Sequence, residues 1–393
     1  MQRREFIKTS SAIAGALSAF GVSPLLTNNL RANDLKANNI KTNNPKQPTS
    51  TTKNTTKLPA RKLGASGIYV SAMGLGCMGM SANHGPARDK KDMINLIAKA
   101  IDLGINFFDT AEIYGPYTNE ILLGEALKPY RKQVILGTKF GLYYPFGKQM
   151  QDSKPKSILR AIDASLKRLQ SDYIDIYTQH RVDIDTPIEE VADLMGGLIK
   201  QGKIRAWGLS EPSAKTLAKA HKVCPVSAVQ SQYSMAFREP EENGIFDTCK
   251  KEGIAFVAYS PLDRGFLTGK MNKNTTFHPT LDMRSNFPRY TPEALEANQS
   301  IIRFIASIAQ SKKIEGKPAT IAQVALAWIL SYKSFTIPIP ETTKMPHLIE
   351  NLGALSLHFS KDEMKAINQE LSTIKLVGER YAPNSDAAKS VGL

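Results

Sequence analysis

Residues 104–115 read Gly-Ile-Asn-Phe-Phe-Asp-Thr-Ala-Glu-Ile-Tyr-Gly. The short apolar and aromatic run is typical of a buried strand; it ends at Asp109 and passes through a polar loop toward a helix with apolar residues every three or four positions. The same unit recurs along the chain after Leu58. Alternation of this kind predicts a parallel sheet whose strands are joined by helices.

The pattern predicts eight such units. Strands are predicted at 73–76, 106–110, 134–139, 174–180, 204–210, 228–231, 255–260 and 335–339. Helices are predicted at 89–103, 120–127, 154–170, 187–200, 213–222, 241–251, 292–309 and 346–354. Eight units close a (β/α)8 TIM barrel, and the turn-rich residues 61–70 predict an N-terminal β-hairpin that caps the barrel floor.

A doubly wound sheet shares this alternation and is the competing architecture. Its dinucleotide fingerprint is missing, because residues 75–80, Leu-Gly-Cys-Met-Gly-Met, have the wrong glycine spacing. No acidic residue follows about twenty positions later at a strand end. The barrel is therefore the favoured fold.

Composition and charge restrict the classes of function that the chain could have. The 393 residues are 42% hydrophobic and 22% charged, as in an ordinary globular protein. Of the formal charge of +15, residues 1–60 contribute +7, from nine Lys and Arg and two Asp and Glu, which leaves +8 for the other 333. No basic run or basic stripe with interleaved aromatics follows, so no nucleic-acid partner is predicted.

The N-terminus has the character of a targeting segment. Residues 1–8, Met-Gln-Arg-Arg-Glu-Phe-Ile-Lys, precede a weakly apolar stretch that is too short for a stable membrane span. The paired arginines resemble the twin-arginine export motif, which a receptor reads. We therefore predict a signal segment at 1–32, the twin-arginine translocase as partner and a periplasmic location. The alternative is a basic N-terminus on a cytoplasmic protein.

Residues 33–58 are Asn, Thr and Lys with scattered Pro, which predicts a disordered linker. The barrel domain is then expected at 59–393. The three cysteines, Cys77, Cys224 and Cys249, are odd in number and widely spaced, so neither a disulfide framework nor a zinc site is indicated.

Four polar residues converge at the C-terminal ends of the predicted strands, where barrels of this type carry their chemistry. They are Asp109, Tyr114, Lys139 and His180. A buried Lys beside Asp stays protonated, and its charge is expected to bring the pKa of Tyr114 down toward the working range of an acid. His180 would hold a carbonyl oxygen next to the Tyr114 hydroxyl.

This constellation resembles the aldo-keto reductases, over about residues 62–354. Residues 104–115 resemble the family's first signature, and the segments 208–211 (Gly-Leu-Ser-Glu), 230–234 (Gln-Ser-Gln-Tyr-Ser) and 259–262 (Tyr-Ser-Pro-Leu) resemble its cofactor segments. Within that family the chain resembles the bacterial and fungal group with Gln-His-Arg-Val-Asp, here at 179–183. The resemblance implies a nicotinamide dinucleotide lying across the barrel mouth, with Tyr114 as proton donor.

The resemblance also implies the residues that hold the cofactor. Ser210, Glu211 and Gln230 would hold the carboxamide, and the ring of Tyr259 would stack on the nicotinamide. Ser260, Leu262 and Arg264 would line the pyrophosphate. Residues around the last strand and helix would grip the adenosine half: Thr343, Lys344, His347, Glu350 and Asn351.

Three positions depart from the family pattern. Asp263 stands where a small residue is usual, Glu341 replaces a Gly or Lys, and His347 occupies a position often filled by Arg. A carboxylate near a 2′-phosphate repels it, whereas Lys344 attracts it. NADPH is therefore the expected cofactor, with NADH as the alternative.

The predicted function is an NADPH-dependent oxidoreductase that reduces an aldehyde or ketone to the alcohol. Two alternatives remain open at this point: a nucleotide-sensing regulatory subunit, similar to relatives that attach to ion channels, and a binding barrel without turnover. The sequence identifies no individual carbonyl substrate.

Overall fold

The computed structural model describes residues 58–393. The predicted signal segment at 1–32 and residues 33–57 of the predicted linker lie outside the described residues. Within the described part, no helix is both long enough and apolar enough to cross a bilayer.

Eight parallel strands form one sheet in which each strand pairs with its neighbours in chain order. They are β1 (Leu75–Gly76), β2 (Phe107–Asp109), β3 (Ile135–Phe140), β4 (Ile174–Gln179), β5 (Ile204–Ser210), β6 (Ala228–Gln232), β7 (Ala255–Tyr259) and β8 (Thr336–Pro338). All eight predicted strands are present, and they differ from the prediction only at their ends.

The first and last strands also meet each other. The Gly74 amide donates to the Pro338 carbonyl at 3.0 Å, and the Gly76 amide donates to the Pro340 carbonyl at 3.3 Å. A parallel bridge links Gly76 with Glu341. These contacts join β1 to the chain of β8, so the predicted (β/α)8 TIM barrel is confirmed.

Eight helices follow the strands on the outside of the barrel. They are α1 (Lys90–Asp102), α2 (Thr118–Leu127), α3 (Pro155–Leu169), α4 (Ile188–Lys200), α5 (Ala214–Val223), α6 (Ile245–Glu252), α7 (Ile321–Tyr332) and α8 (Met345–Gly353). Seven of them match predicted helices.

The predicted helix at 292–309 is present but divided in two, and it is not the helix that packs against the sheet after β7. Residues 292–309 form two helices, Pro292–Ala297 and Gln299–Ser311, within the long connection that precedes α7. The helix that packs against the sheet is α7, in which eight residues are buried, so it has no broad polar face to show a helical period. Its start is fixed by a capping box between Thr320 and Gln323.

The predicted hairpin is present as strands Ala60–Lys62 and Tyr69–Ser71, paired antiparallel. Its apolar residues, Leu63 among them, are buried with the first residues of β6 and β7, which lie at the N-terminal end of the barrel. The hairpin therefore covers the barrel floor, as predicted. Gly64 is required there, because its φ is +59° and a Cβ would lie 2.3 Å from the Ser227 carbonyl oxygen.

The barrel interior is filled by apolar side chains from several strands, among them Phe107, Ile176, Val257 and Ile337. A larger cluster lies between the strands and the helices. Full burial of such a side chain stabilises the fold by about 1.5–3 kcal/mol. The interior is thus a packed core, and the four candidate catalytic residues lie at or just beyond the C-terminal ends of the strands.

The end of the chain returns to that C-terminal face. After a helix at Lys361–Thr373 that the sequence pattern did not predict, the backbone passes over the mouth of the barrel. The Gly392 amide donates to the Glu211 carbonyl at 2.9 Å, and the Ser213 amide donates to the Leu393 carbonyl at 2.7 Å. Residues 380–393 therefore form part of the wall around the mouth.

Candidate active site

A cavity of about 850 Å³ opens at the C-terminal ends of the strands. Asp109 ends β2, Lys139 lies near the end of β3, and His180 directly follows β4. Tyr114 comes from the loop between β2 and α2. The four residues predicted from separate parts of the sequence therefore lie together, three of them in the cavity wall and Lys139 behind it.

Lys139 is the centre of this group. Its Nζ donates to Asp109 Oδ1 at 2.5 Å, to the Thr110 carbonyl at 2.8 Å and to the Tyr114 hydroxyl at 3.2 Å. Asp109 also accepts a hydrogen bond from the side-chain amide of Gln230 at 2.9 Å. Although burial lowers the pKa of Lys139, Asp109 and Tyr114 raise it above its ordinary value overall, so the ammonium stays charged.

The pKa of Tyr114 is raised, whereas the sequence predicts that Lys139 lowers it. Burial raises it above its ordinary value, and Asp109 and Glu341 add to this; the charge of Lys139 opposes the rise without overcoming it. The Tyr114 phenol is therefore a weaker acid than free tyrosine. Its proton is retained at neutral pH.

His180 meets the ring of Tyr114 edge-on, with 5.7 Å between ring centroids. Burial, together with the charges of Lys139 and Arg181, holds the pKa of His180 well below its usual range. The imidazole is therefore neutral. Among the described residues, its buried Nδ1 has no hydrogen-bond partner.

A second buried charge cluster supports the loop that carries Tyr114. Arg168 pairs with Glu120 at 2.6 Å, and Glu112 accepts from the Gly141 amide at 3.2 Å. Burial, and next to it the charge of Glu120, raises the pKa of Glu112 to about 8. Glu112 therefore carries a proton near neutral pH, which relieves repulsion between the two carboxyl groups.

Five of the predicted cofactor residues line the cavity: Ser210, Gln230, Tyr259, Ser260 and Arg264. The hydrogen bonds that Ser210 and Gln230 already make determine which further hydrogen bonds they can form with a ligand. Arg181 donates to Ser210 Oγ at 3.0 Å, which leaves the hydroxyl proton of Ser210 available. The amide nitrogen of Gln230 donates to Asp109, while the carbonyl oxygen of that amide accepts nothing from the described residues.

Glu211 and Leu262 are placed differently from the prediction. The Glu211 carboxylate is buried in an ion pair with Arg380 and also accepts from the backbone amide of Gln232 at 2.9 Å. It lines a small neighbouring recess and not the main cavity. Leu262 packs against the hydrophobic core. Of the three residues predicted to hold a carboxamide, the structure therefore brings two to the cavity.

The loop after β7 explains how Asp263 fits. Ser260, Asp263 and Arg264 all adopt left-handed backbone conformations, with φ between 46° and 49°. Asp263 is buried; its carboxylate accepts from the Gln232 side chain at 3.3 Å, and its carbonyl accepts from the Tyr290 hydroxyl at 3.0 Å. These contacts hold a strained turn that directs Arg264 into the cavity wall.

The residues predicted for the adenosine half lie at the start of α8 and further along it, outside the main cavity. Lys344 and His347 are exposed, Thr343 is half-buried, Glu350 is half-buried and its carbonyl accepts from Gln323, and Asn351 is buried. The first turn of α8 leaves backbone amides available beside Lys344. The Lys344 ammonium next to these backbone amides is suited to binding an anion.

The sequence predicts that Glu341 repels a 2′-phosphate near Lys344, but the structure places its carboxylate elsewhere. Its carboxylate accepts from the Gly79 amide at 3.2 Å and pairs with His84 at 3.3 Å, in the wall of the main cavity. It also acts on Asp109 and Tyr114, whose pKa values it raises. Glu341 thus faces the loop after β1 and not Lys344.

Sequence reasoning missed four residues at this site: His84, Arg181 and Tyr381 line the cavity, and Arg380 lies directly behind it. Arg181 follows His180 directly, so its place beside a strand end was a usable signal. Arg380 and Tyr381 come from the C-terminal segment, which has no strand or helix pattern near them. Only the tertiary fold brings them to the mouth.

Comparisons with known proteins agree with this geometry. A sequence model described as the Aldo/keto reductase family matches residues 72–371. A protein of Glycine max described as probable aldo-keto reductase 1 is 38% identical over 305 residues, which is 77% of this chain and 86% of that protein. The chain therefore belongs to the aldo/keto reductase family, a class of oxidoreductases.

Solved structures with the same fold include two from bacteria. A glycerol dehydrogenase from Gluconobacter oxydans has a TM-score of 0.69 and 28% identity, covering 83% of this chain and 98% of that one. An aldo/keto reductase from Klebsiella pneumoniae in complex with NADP and acetate has a TM-score of 0.61 and 25% identity, covering 82% and 98%. Relatives of this family thus bind NADP at a barrel of this type.

Proposed function

We propose that this protein is an NADPH-dependent reductase that converts an aldehyde or ketone to the alcohol. The observation that carries the proposal is the contact of Lys139 Nζ with both Asp109 and Tyr114 at the mouth of the barrel. The adjoining cavity, about 850 Å³, lies within the range of roughly 300–1,000 Å³ that is usual for ligand pockets.

Tyr114 is the proposed proton donor. An ammonium can only donate, so the Tyr114 oxygen accepts from Lys139 and its own proton is left to point elsewhere. When that proton passes to the carbonyl oxygen, the ammonium lies 3.2 Å from the developing phenolate and stabilises it. The carbonyl oxygen becomes the alcohol hydroxyl.

His180 is the proposed orienting residue. A neutral imidazole can donate one hydrogen bond to the carbonyl oxygen without competing for the proton that Tyr114 supplies. Its edge-on packing against the Tyr114 ring fixes the two groups relative to each other. Together they define one position for the carbonyl oxygen.

The residues present fit a nicotinamide cofactor, which when bound supplies the hydride that carbonyl reduction requires. A carboxamide needs one donor and one acceptor. The hydroxyl proton of Ser210 and the side-chain oxygen of Gln230, neither of which is used by another described residue, would provide them. The Arg264 guanidinium, stacked 4.5 Å over the ring of Phe287, provides a charge for the pyrophosphate. Lys344 and the first turn of α8 provide a site for the 2′-phosphate.

A panel of aldehydes and ketones, assayed with NADPH and with NADH, tests this function directly. We expect turnover of at least one chemical class, faster with NADPH than with NADH at equal concentration. Binding of NADPH without turnover of any carbonyl would instead favour the nucleotide-sensing alternative. Absence of cofactor binding would contradict both.

Lys344→Ala is expected to weaken NADPH affinity about three- to tenfold and to leave NADH affinity within twofold. The reason is that only NADPH has the 2′-phosphate that this exposed ammonium would meet. Lys361→Ala is the matched control, an exposed lysine in the first turn of another helix. Titration of cofactor fluorescence measures both affinities; equal losses for the two cofactors would show that Lys344 acts on the local backbone.

We also propose that the protein is exported to the periplasm by the twin-arginine translocase. The support is the pair Arg3-Arg4 followed by Glu, Phe, Ile and Lys, which lies outside the described residues. A cofactor loaded in the cytoplasm would stabilise the folded barrel by about 2.7 kcal/mol at a hundredfold excess over Kd. A route for folded proteins would therefore suit a cofactor site built from several strand ends.

Replacing both Arg3 and Arg4 with Lys retains the charge and removes the receptor-read pair. We expect the variant to stay in the cytoplasm while the unaltered chain reaches the periplasm, as measured by cell fractionation and immunoblotting. An equal periplasmic yield of the two chains would contradict the twin-arginine route. Confinement of the unaltered chain to the cytoplasm would contradict export.

A further inference from the structure

Arg380 reaches the mouth of the barrel from the C-terminal segment and is 9% exposed. Its guanidinium donates to both carboxylate oxygens of Glu211, to the Gln232 side chain at 2.9 Å and to the Tyr259 hydroxyl. All three of its nitrogens are therefore used. A planar guanidinium held at three points has one orientation.

The contact with Tyr259 continues to a second tyrosine. Because Arg380 can only donate, the Tyr259 oxygen accepts, and its proton is available for the Tyr381 oxygen 3.2 Å away. Although burial raises the pKa of Tyr381, nearby Arg380, Arg181 and Arg264 lower it to about 8, which suits an acceptor. Both tyrosines line the main cavity, whereas Arg380 and Glu211 lie behind it.

We propose that Arg380 is a positioning residue for cofactor binding: with Glu211 as its anchor, it fixes the ring of Tyr259 against the place of the nicotinamide and orients the Tyr381 hydroxyl beside it. This inference rests on the proposed function. It also explains why Glu211, at a position predicted to contact the carboxamide, turns away from the cavity. Its carboxylate neutralises the buried guanidinium instead.

The competing explanation is that Arg380 only fastens the C-terminal segment. The two explanations differ in what Tyr259→Phe does, since this variant retains the ring and the ion pair and removes only the hydroxyl that Arg380 holds. A fastening role predicts no change in cofactor affinity for Tyr259→Phe. A positioning role predicts a loss.

The test compares Arg380→Met, Arg380→Lys, Tyr259→Phe and the double variant Arg380→Met/Tyr259→Phe. The dissociation constant for NADPH is measured by fluorescence without substrate, and thermal stability is measured in parallel. Arg131→Met is the matched control: Arg131 pairs at 2.7 Å with the fully buried Asp175, near the start of β4 and away from the cavity.

We expect Arg380→Met to raise the Kd for NADPH at least tenfold, Arg380→Lys less, and Tyr259→Phe several-fold. The double variant should resemble Arg380→Met, because both changes remove the same contact. Arg131→Met should lower thermal stability and leave the Kd within twofold. If Arg380→Met does not fold, Glu211→Gln takes its place, with an expected rise in Kd of several-fold.

The inference is overturned if Tyr259→Phe leaves the Kd unchanged, or if the effects of Tyr259→Phe and Arg380→Met are additive. It is overturned as well if Arg131→Met weakens NADPH binding as much as Arg380→Met does. Failure of the unaltered protein to bind NADPH would contradict the proposed function itself. Normal binding by the unaltered protein and by all variants would contradict the positioning role alone.

Discussion

Tyr114→Phe is expected to lower kcat for carbonyl reduction by about 10²- to 10⁴-fold, the contribution usual for a general acid. The ring that packs edge-on against His180 is retained, so the cavity keeps its shape and the change is confined to the hydroxyl, which supplies the proton and accepts from Lys139. The Kd for NADPH should stay within a few-fold. Steady-state kinetics and a cofactor titration on the same preparation measure the two effects separately.

Tyr117→Phe is a suitable control for this change, because Tyr117 lies three residues away in the same loop and is absent from the cavity wall. It should retain most of the activity. If Tyr114→Phe kept more than about a tenth of the kcat, Tyr114 would not be the sole acid, and another donor in the cavity would have to supply the proton.

The protonation of Tyr114 also determines how the reductase activity depends on pH. Reduction requires the protonated phenol, so activity should fall as pH rises through the pKa of Tyr114, which burial raises above its ordinary value of about 10. A decline centred near pH 8 would therefore belong to a different group. Tyr381, with a pKa of about 8, is the group in the cavity wall that fits such a decline.

Lys139→Met should lower kcat by at least about 10²-fold and also destabilise the fold. The charge that stabilises the Tyr114 phenolate is lost, and Asp109 is left buried without its ionic partner. Breaking a buried pair from one side costs about 3–5 kcal/mol. Kinetics and thermal unfolding are the two measurements.

The double variant Asp109→Asn/Lys139→Met separates these effects. It removes both charges, so thermal stability should recover in part while activity stays low. Recovery of activity together with stability would show that Lys139 acts only by maintaining the fold. Persistent loss of activity in a stable protein supports its role in holding Tyr114.

The eight strands and the four polar residues at or just beyond their ends could be predicted from the amino-acid sequence alone. Both follow from short-range pattern: a buried strand shows as an apolar run, and the C-terminal ends of parallel strands must share one face. Asp109, Lys139 and His180 could therefore be placed together from their positions in separate strands. Tyr114 could be placed beside them by the same argument, because it follows the end of β2 by five residues, in the loop that leaves that strand at this face.

Other features depend on packing between distant parts of the chain and could not be predicted. Helix α7 was hidden because it is buried over most of its surface. Glu211 turns from the cavity because Arg380, 169 residues later, neutralises it. Burial also outweighs Lys139 in setting the pKa of Tyr114. Contacts and desolvation of this kind depend on neighbours that are distant in the chain, so no local pattern of residues encodes them.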